Sequence, residues 1–385
     1  MNNKRLITNG PLFDGFNLYD QGSVLIEGQK IAGVFNGAVC IDDATDIDAQ
    51  GDLIMPGLVD LHSDSLERSI EKRKGVFFDI DFALLNLDRQ LAACGITTFC
   101  HAISFADDEL GLRSPKEARN CVQKIKNFNK SEQSLVKHNT HIRYEVGSQK
   151  SFHIIKELLN QGMIDIMSVM DHTPGQGQFR SMESYIKFHT TEYYLSQHEI
   201  LEKAAEKQAE NQKSWQMVTE LINMVNAAGI PILSHDDDTR QKIDLIKKLG
   251  ISASEFPVTL EAATLAYKSG MDIFMGAPNL IRNQSTNGNL KASDVLKHGF
   301  CTGLVSDYYP ESLFQAAFIA SNFTTSREKA LQTVTSGPGS FLKPTKNVGV
   351  LEKGSDADII IVNQDHSWAH ITRSFVRGKS IFQIQ

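Results

Sequence analysis

Eight short apolar runs recur through the middle of the chain, and their spacing limits the fold more than any other feature. They are Leu58–His62, Ile96–Cys100, His141–Val146, Ile164–His172, Ile230–His235, Ile251–Phe256, Asp272–Ala277 and Cys301–Asp307. Amphipathic stretches such as Asp79–Cys94, Phe152–Asn160 and Thr259–Lys268 lie between them. Strands apolar on both faces, alternating with helices, belong to a parallel sheet covered by helices. Eight such units predict a (β/α)8 TIM-like barrel over residues 55–344. The chain ends read differently. Lys4–Thr8, Gly22–Glu27 and Lys30–Phe35, then Ala357–Val362 and Ser374–Val376, are short strand-like segments divided by Asn9-Gly10, Glu27-Gly28 and Gly378. Residues 1–54 and 345–385 are therefore expected to build one small β-sandwich domain together. One connection is abnormally long: almost 60 residues separate His172 from Ile230, with a charged helical stretch, Glu199–Asn226, at its heart. A structureless loop of that size is improbable, so a long surface helix is expected there.

Charge and cysteine content exclude several functions. With 39 Lys+Arg against 46 Asp+Glu the net charge is −7, opposite to what nucleic-acid binding requires. The five cysteines are scattered without a CxxC pair, which argues against a disulfide framework or thiolate zinc site. They read as small buried hydrophobes. No signal peptide and no membrane-spanning run is evident, so a cytoplasmic protein with no membrane partner is expected.

Chemistry concentrates where the apolar runs end. In a barrel of this type the C-terminal strand ends converge on one face, where active sites form. The first run ends in His62 and Asp64, two positions that share a face of an extended strand. Later runs end in Glu145, His172, His235, Glu255 and Asp307. Singly, each could cap a following helix. Seven together, all imidazole or carboxylate, point to a metal site.

Met55-Pro56-Gly57-Leu58-Val59-Asp60-Leu61-His62 resembles the opening signature of the amidohydrolase superfamily, and Gly95-Ile96-Thr97-Thr98 resembles a second landmark. Met170-Asp171-His172-Thr173-Pro174-Gly175-Gln176, Ser234-His235-Asp236-Asp237-Asp238-Thr239, Ser254-Glu255-Phe256-Pro257, Gly276-Ala277-Pro278-Asn279 and Ser306-Asp307-Tyr308-Tyr309-Pro310 narrow the resemblance to its phosphonate-pathway diphosphatases. That resemblance implies a binuclear metallohydrolase that cleaves a ribose triphosphate ester between its α and β phosphorus atoms and releases pyrophosphate. It implies His62, Asp64, Glu145, His235, Glu255 and Asp307 as ligands of two divalent ions, zinc first, with manganese, iron or cobalt as alternatives. Asp307 would also handle the proton of the attacking water, and His172 would be a ligand or a donor to a phosphate oxygen. Arg180 and Arg282 would bind the small-molecule phosphate substrate, and a homodimer is expected. An amidase or deacetylase is the alternative, since one metal centre can polarise a carbonyl as well. Two departures bear on substrate: Thr286 stands where the branch carries histidine, and Lys72-Arg73-Lys74-Gly75 replaces an Arg-Pro-Gly string.

Overall fold

A computed structural model of the 385-residue chain describes residues 4–107, 113–172, 182–183, 186, 190, 196–285, 288–342, 347–364 and 368–384, with residues 203 and 206–213 as backbone only. Both chain ends meet in one mixed sheet. From the N-terminal side come β1 (Lys4–Phe13), β2 (Leu18–Glu27), β3 (Lys30–Asn36), β4 (Thr45–Asp48) and β5 (Leu53–Pro56). The barrel strands follow: β6 (Leu58–Ser63), β7 (Ile96–Phe105), β8 (Lys137–Glu145), β9 (Ile166–Met170), β10 (Ile232–His235), β11 (Ala253–Glu255), β12 (Asp272–Gly276) and β13 (Gly303–Val305). After them β14 (Ile359–Asn363), β15 (His370–Val376) and β16 (Lys379–Gln383) return to the first sheet. Its order is β16-β15-β14-β5-β1-β2-β3, with β4 on β1. It wraps its own core of Ile7, Leu12, Val24, Ile26, Ile54, Ile359, Ile361 and Phe375, forming the small β-sandwich domain.

The strands β6 to β13 pair in sequence order, all parallel, as the alternation of apolar runs predicts. Val59, Leu61, Cys100, Ile166, Leu233, Ala253, Phe274 and Val305 fill the barrel, and Phe341 and Leu342 join that cluster. The opposite faces of the strands pack on the surrounding helices, which explains why the runs show little alternation. Closure between β13 and β6 is partial. At the C-terminal end Asp307 N donates to His62 O at 3.0 Å and Asp64 N donates to Asp307 O at 2.7 Å. Lower down, the Thr333-Val334 backbone fills the gap, its carbonyls accepting from Leu304 N at 2.7 Å and Val59 N at 3.0 Å.

Gly57 explains part of the opening motif. A Cβ there would lie 2.2 Å from the Thr97 side chain, so only glycine lets the chain pass from the small sheet into the barrel at this point. The amphipathic stretches are helical at Ile80–Ala93, Gln149–Asn160 and Leu260–Lys268. The long connection carries a helix at Gln197–Ala227, opened by a capping box of Ser196 and Glu199. The cysteines correct one expectation. All five are free, Cys100 and Cys121 are buried and Cys94 and Cys301 are partly buried, but Cys40 is exposed on an irregular stretch before β4.

Candidate metal centre

The C-terminal rim of the barrel gathers His62, Glu145, His172, His235, Glu255 and Asp307 at the ends of β6, β8, β9, β10, β11 and β13. Two residues that lie inside a run, rather than at its end, join them. On β8 the inward positions alternate as His141, Arg143 and Glu145, while Ile142 and Tyr144 face the helix layer. Reading the run by its last residue finds Glu145 and passes over the other two; the period-2 pattern was the signal that could have found them.

His62, His141 and Glu255 form the tightest group, with one ligand atom from each lying within 4.8 Å of the others. His62 Nδ1 is 2.8 Å from Glu255 Oε1. Those two atoms and His141 Nε2 are buried and have no hydrogen-bond partner. Unpaired polar atoms this deep are costly, so three converging on one point mark a place built for a ligand. The tautomer of His141 is fixed by chemistry. Its Nδ1 lies 2.8 Å from the carbonyl oxygen of Leu61, which can only accept, so the proton is on Nδ1 and the Nε2 lone pair faces the group. An imidazole held by a backbone carbonyl in this way is the usual arrangement of a metal-binding histidine. Two imidazoles and a carboxylate suit zinc and its first-row neighbours.

A second group, His172, His235 and Asp236, lies alongside. Asp236 follows β10 directly, with a left-handed φ of 55° that turns the chain at the strand end. Neighbouring strands pair His235 with Glu255 in register, and His235 Nδ1 sits 2.9 Å from Glu255 Oε2. On the other side of the ring, Arg143 Nη2 is 3.1 Å from His235 Nε2. Glu145 holds His172 twice, accepting from its backbone N at 3.0 Å and lying 2.9 Å from its Nδ1. Phe256, also at positive φ, turns its ring edge to His62 and His235 at 5.2 Å and forms an apolar wall.

Electrostatics separates the histidines. Burial, aided by the Arg143 guanidinium, pushes His62 well below its ordinary value and His235 down to about 3. Burial likewise lowers His141 to about 3, so all three are neutral and able to offer a lone pair. Burial also opposes the charge on His172, but Glu145 and Asp236 outweigh it and raise that imidazole to about 9. Asp307 is pushed up to about 7 by burial and by the nearby Asp64 carboxylate.

Asp64 stands beside Asp307 at the rim, its Oδ1 buried without a hydrogen-bond partner, whereas the other expected residues lie further out. Asp64 precedes the short helix Ser65–Ile70, with its oxygens 3.6 Å from Arg68 Nε and 3.8 Å from Arg113 Nη2. Arg282 ends the short helix Ala277–Arg282 after β12 and is exposed. Lys72, Arg73 and Lys74 are exposed. Arg180 and Thr286 lie outside the described residues. Among the described residues, no helix is long and apolar enough to cross a membrane.

A parallel barrel with histidines and carboxylates converging at its C-terminal rim, beside a sandwich built from both chain ends, is the architecture of a metal-centre hydrolase. Comparisons with known proteins agree. The N-acetylglucosamine-6-phosphate deacetylase of Pasteurella multocida superposes with a TM-score of 0.67 over 98% of this chain and 99% of that one, at 11% identity. A solved amidohydrolase superposes at 0.64 over 99% of each chain, at 15% identity. No family model matches the chain. The alpha-D-ribose 1-methylphosphonate 5-triphosphate diphosphatase of Escherichia coli (strain K12) is 31% identical over 340 residues, spanning 87% of this chain and 90% of that enzyme. The chain belongs to the family of that diphosphatase, and its fold is that of solved amidohydrolases.

Proposed function

We propose that this protein is a metal-dependent diphosphatase that cleaves the α–β phosphoanhydride of α-D-ribose 1-methylphosphonate 5-triphosphate, releasing pyrophosphate. The observation that carries the substrate is the 31% identity running through 87% of the chain to an enzyme of that name. What supports metal dependence is independent of it: three buried, unpaired ligand atoms from His62, His141 and Glu255 converge at the barrel mouth. A divalent ion held by those three residues, zinc by the donor set, would supply Lewis acidity and lower the pKa of a water. The chain supplies the rest. Asp307, buried at the closing seam with its carboxyl raised to about 7, accepts the proton of the attacking water. His172, charged and braced by Glu145, donates to a phosphoryl oxygen. Arg282 follows the seventh barrel strand, where such barrels often hold phosphate, and with Arg180 neutralises the distal phosphates.

The test is product identity. Zinc-loaded protein is given the ribose methylphosphonate triphosphate and, separately, ATP, and the released phosphorus species are resolved by 31P NMR. Pyrophosphate from the ribose ester at a rate well above that from ATP is expected. Orthophosphate alone, or no turnover of the ribose ester, refutes the assignment.

A further inference from the structure

Three histidines surround Glu255, and their ring nitrogens are committed differently. His141 gives its Nδ1–H to a backbone carbonyl and keeps the Nε2 lone pair for the site. His62 offers an unpaired Nδ1 2.8 Å from Glu255 Oε1. His235 is the exception. A guanidinium can only donate, so Arg143 Nη2, at 3.1 Å, consumes the His235 Nε2 lone pair. The proton of His235 must then sit on Nδ1, where it is donated to Glu255 Oε2 at 2.9 Å. Neither nitrogen is left to bind a cation. Among the described residues Arg143 has no carboxylate within ion-pair distance and its Nε has no partner, though its charge is felt by Asp307.

We infer that Arg143 takes the place of a second metal ion. It holds His235 as a positioning residue for Glu255, and the centre carries one divalent ion at His62, His141 and Glu255 beside one guanidinium. The chain Arg143–His235–Glu255 orients the carboxylate so that Oε1 faces His62 and His141 while Oε2 is occupied. This inference rests on reading the site as a metal centre, but it changes the expected content from two ions to one. It also gives the site a fixed cation that survives chelation, suited to an oxygen of an anionic substrate through the spare Nε–H.

Metal counting decides it, with zinc as the probe. Wild-type protein equilibrated with excess zinc and desalted is expected to retain one ion per chain, and Arg143→Met two, because His235 is released to His172 and Asp236. Two ions in the wild type would overturn the inference while leaving the metal-centre reading intact; one ion in both proteins would overturn the role given to Arg143. No ion in either would overturn both readings. A second measurement does not depend on the Arg143→Met variant folding. In 15N-histidine-labelled, zinc-loaded wild type, the His235 signal, assigned by its loss in His235→Gln, is expected to show a protonated Nδ1. A metal-bound His235 nitrogen would sink the inference.

Discussion

At the residue scale, a histidine in this site is defined by what its second nitrogen does. His141 is committed to the Leu61 carbonyl, so its substitution removes a ligand without freeing a buried charge. His141→Asn is therefore expected to weaken zinc affinity by about 100-fold or more, with a thermal midpoint in the apo form close to wild type. Asp307→Asn gives the contrast: turnover falls by roughly 10²–10⁴ while zinc affinity changes far less. Titration with a chromophoric chelator, paired with turnover, separates the two, and equal zinc loss in both variants would contradict the assignment. This scale is also where the sequence was hardest to read. The ends of the apolar runs marked His62, His172, His235, Glu255 and Asp307, because a polar residue closing an apolar strand stands out. His141 and Arg143 do not stand out. They sit earlier in β8, where an inward-facing polar residue resembles the polar start of an ordinary strand. Asp236 was hidden among three consecutive aspartates, and only its turn at the strand end distinguishes it.

At the element scale, the alternation of runs and amphipathic stretches made the order of strands legible, since each βα unit is local in sequence. Caps are local in the same way: Thr239 accepts from Lys242 N and opens the helix Arg240–Lys248. Closure was not legible, because it joins residues 246 positions apart: Asp60 Oδ1 accepts from Ser306 N at 3.0 Å and from His62 N at 3.3 Å. That one oxygen satisfies backbone donors of the first and last strands where direct ladder pairing is sparse. Burial pushes the Asp60 carboxyl up to about 7, so an amide of the same shape should replace it at little cost. Asp60→Ala is expected to lose about 2–4 kcal/mol by stranding two buried N–H groups, and Asp60→Asn about 1 kcal/mol or less. Urea denaturation midpoints measure both, and an alanine variant as stable as the amide would deny Asp60 its part in closing the barrel.

At the scale of the whole molecule, the small sandwich must stay fixed beneath the barrel, and a charge cluster bridges the two. Lys137, at the start of β8, places Nζ 2.5 Å from Asp356 Oδ2 and 2.5 Å from Asp358 Oδ2, both just before β14. Lys30 of the small domain completes the cluster, 2.8 Å from Asp356. Burial works against the Asp356 charge, but Lys137 and Lys30 outweigh it and hold the carboxyl at about 2 against an ordinary 3.8. A depressed acid stabilises the fold above its unfolded value and loses that contribution as pH falls from about 3.8 through about 2. The shift alone would correspond to about 2.4 kcal/mol, and solvent screening of a carboxylate that is about one-third exposed reduces this to about 1 kcal/mol. Lys137→Met should therefore cost about 1–3 kcal/mol at pH 7, where two carboxylates lose their shared cation. Its stability should also fall less steeply than wild type between pH 4 and pH 2. Urea titrations of both proteins across that window check the sign: a variant with the same acid sensitivity as wild type would show that this charge cluster does not help to hold the domains together.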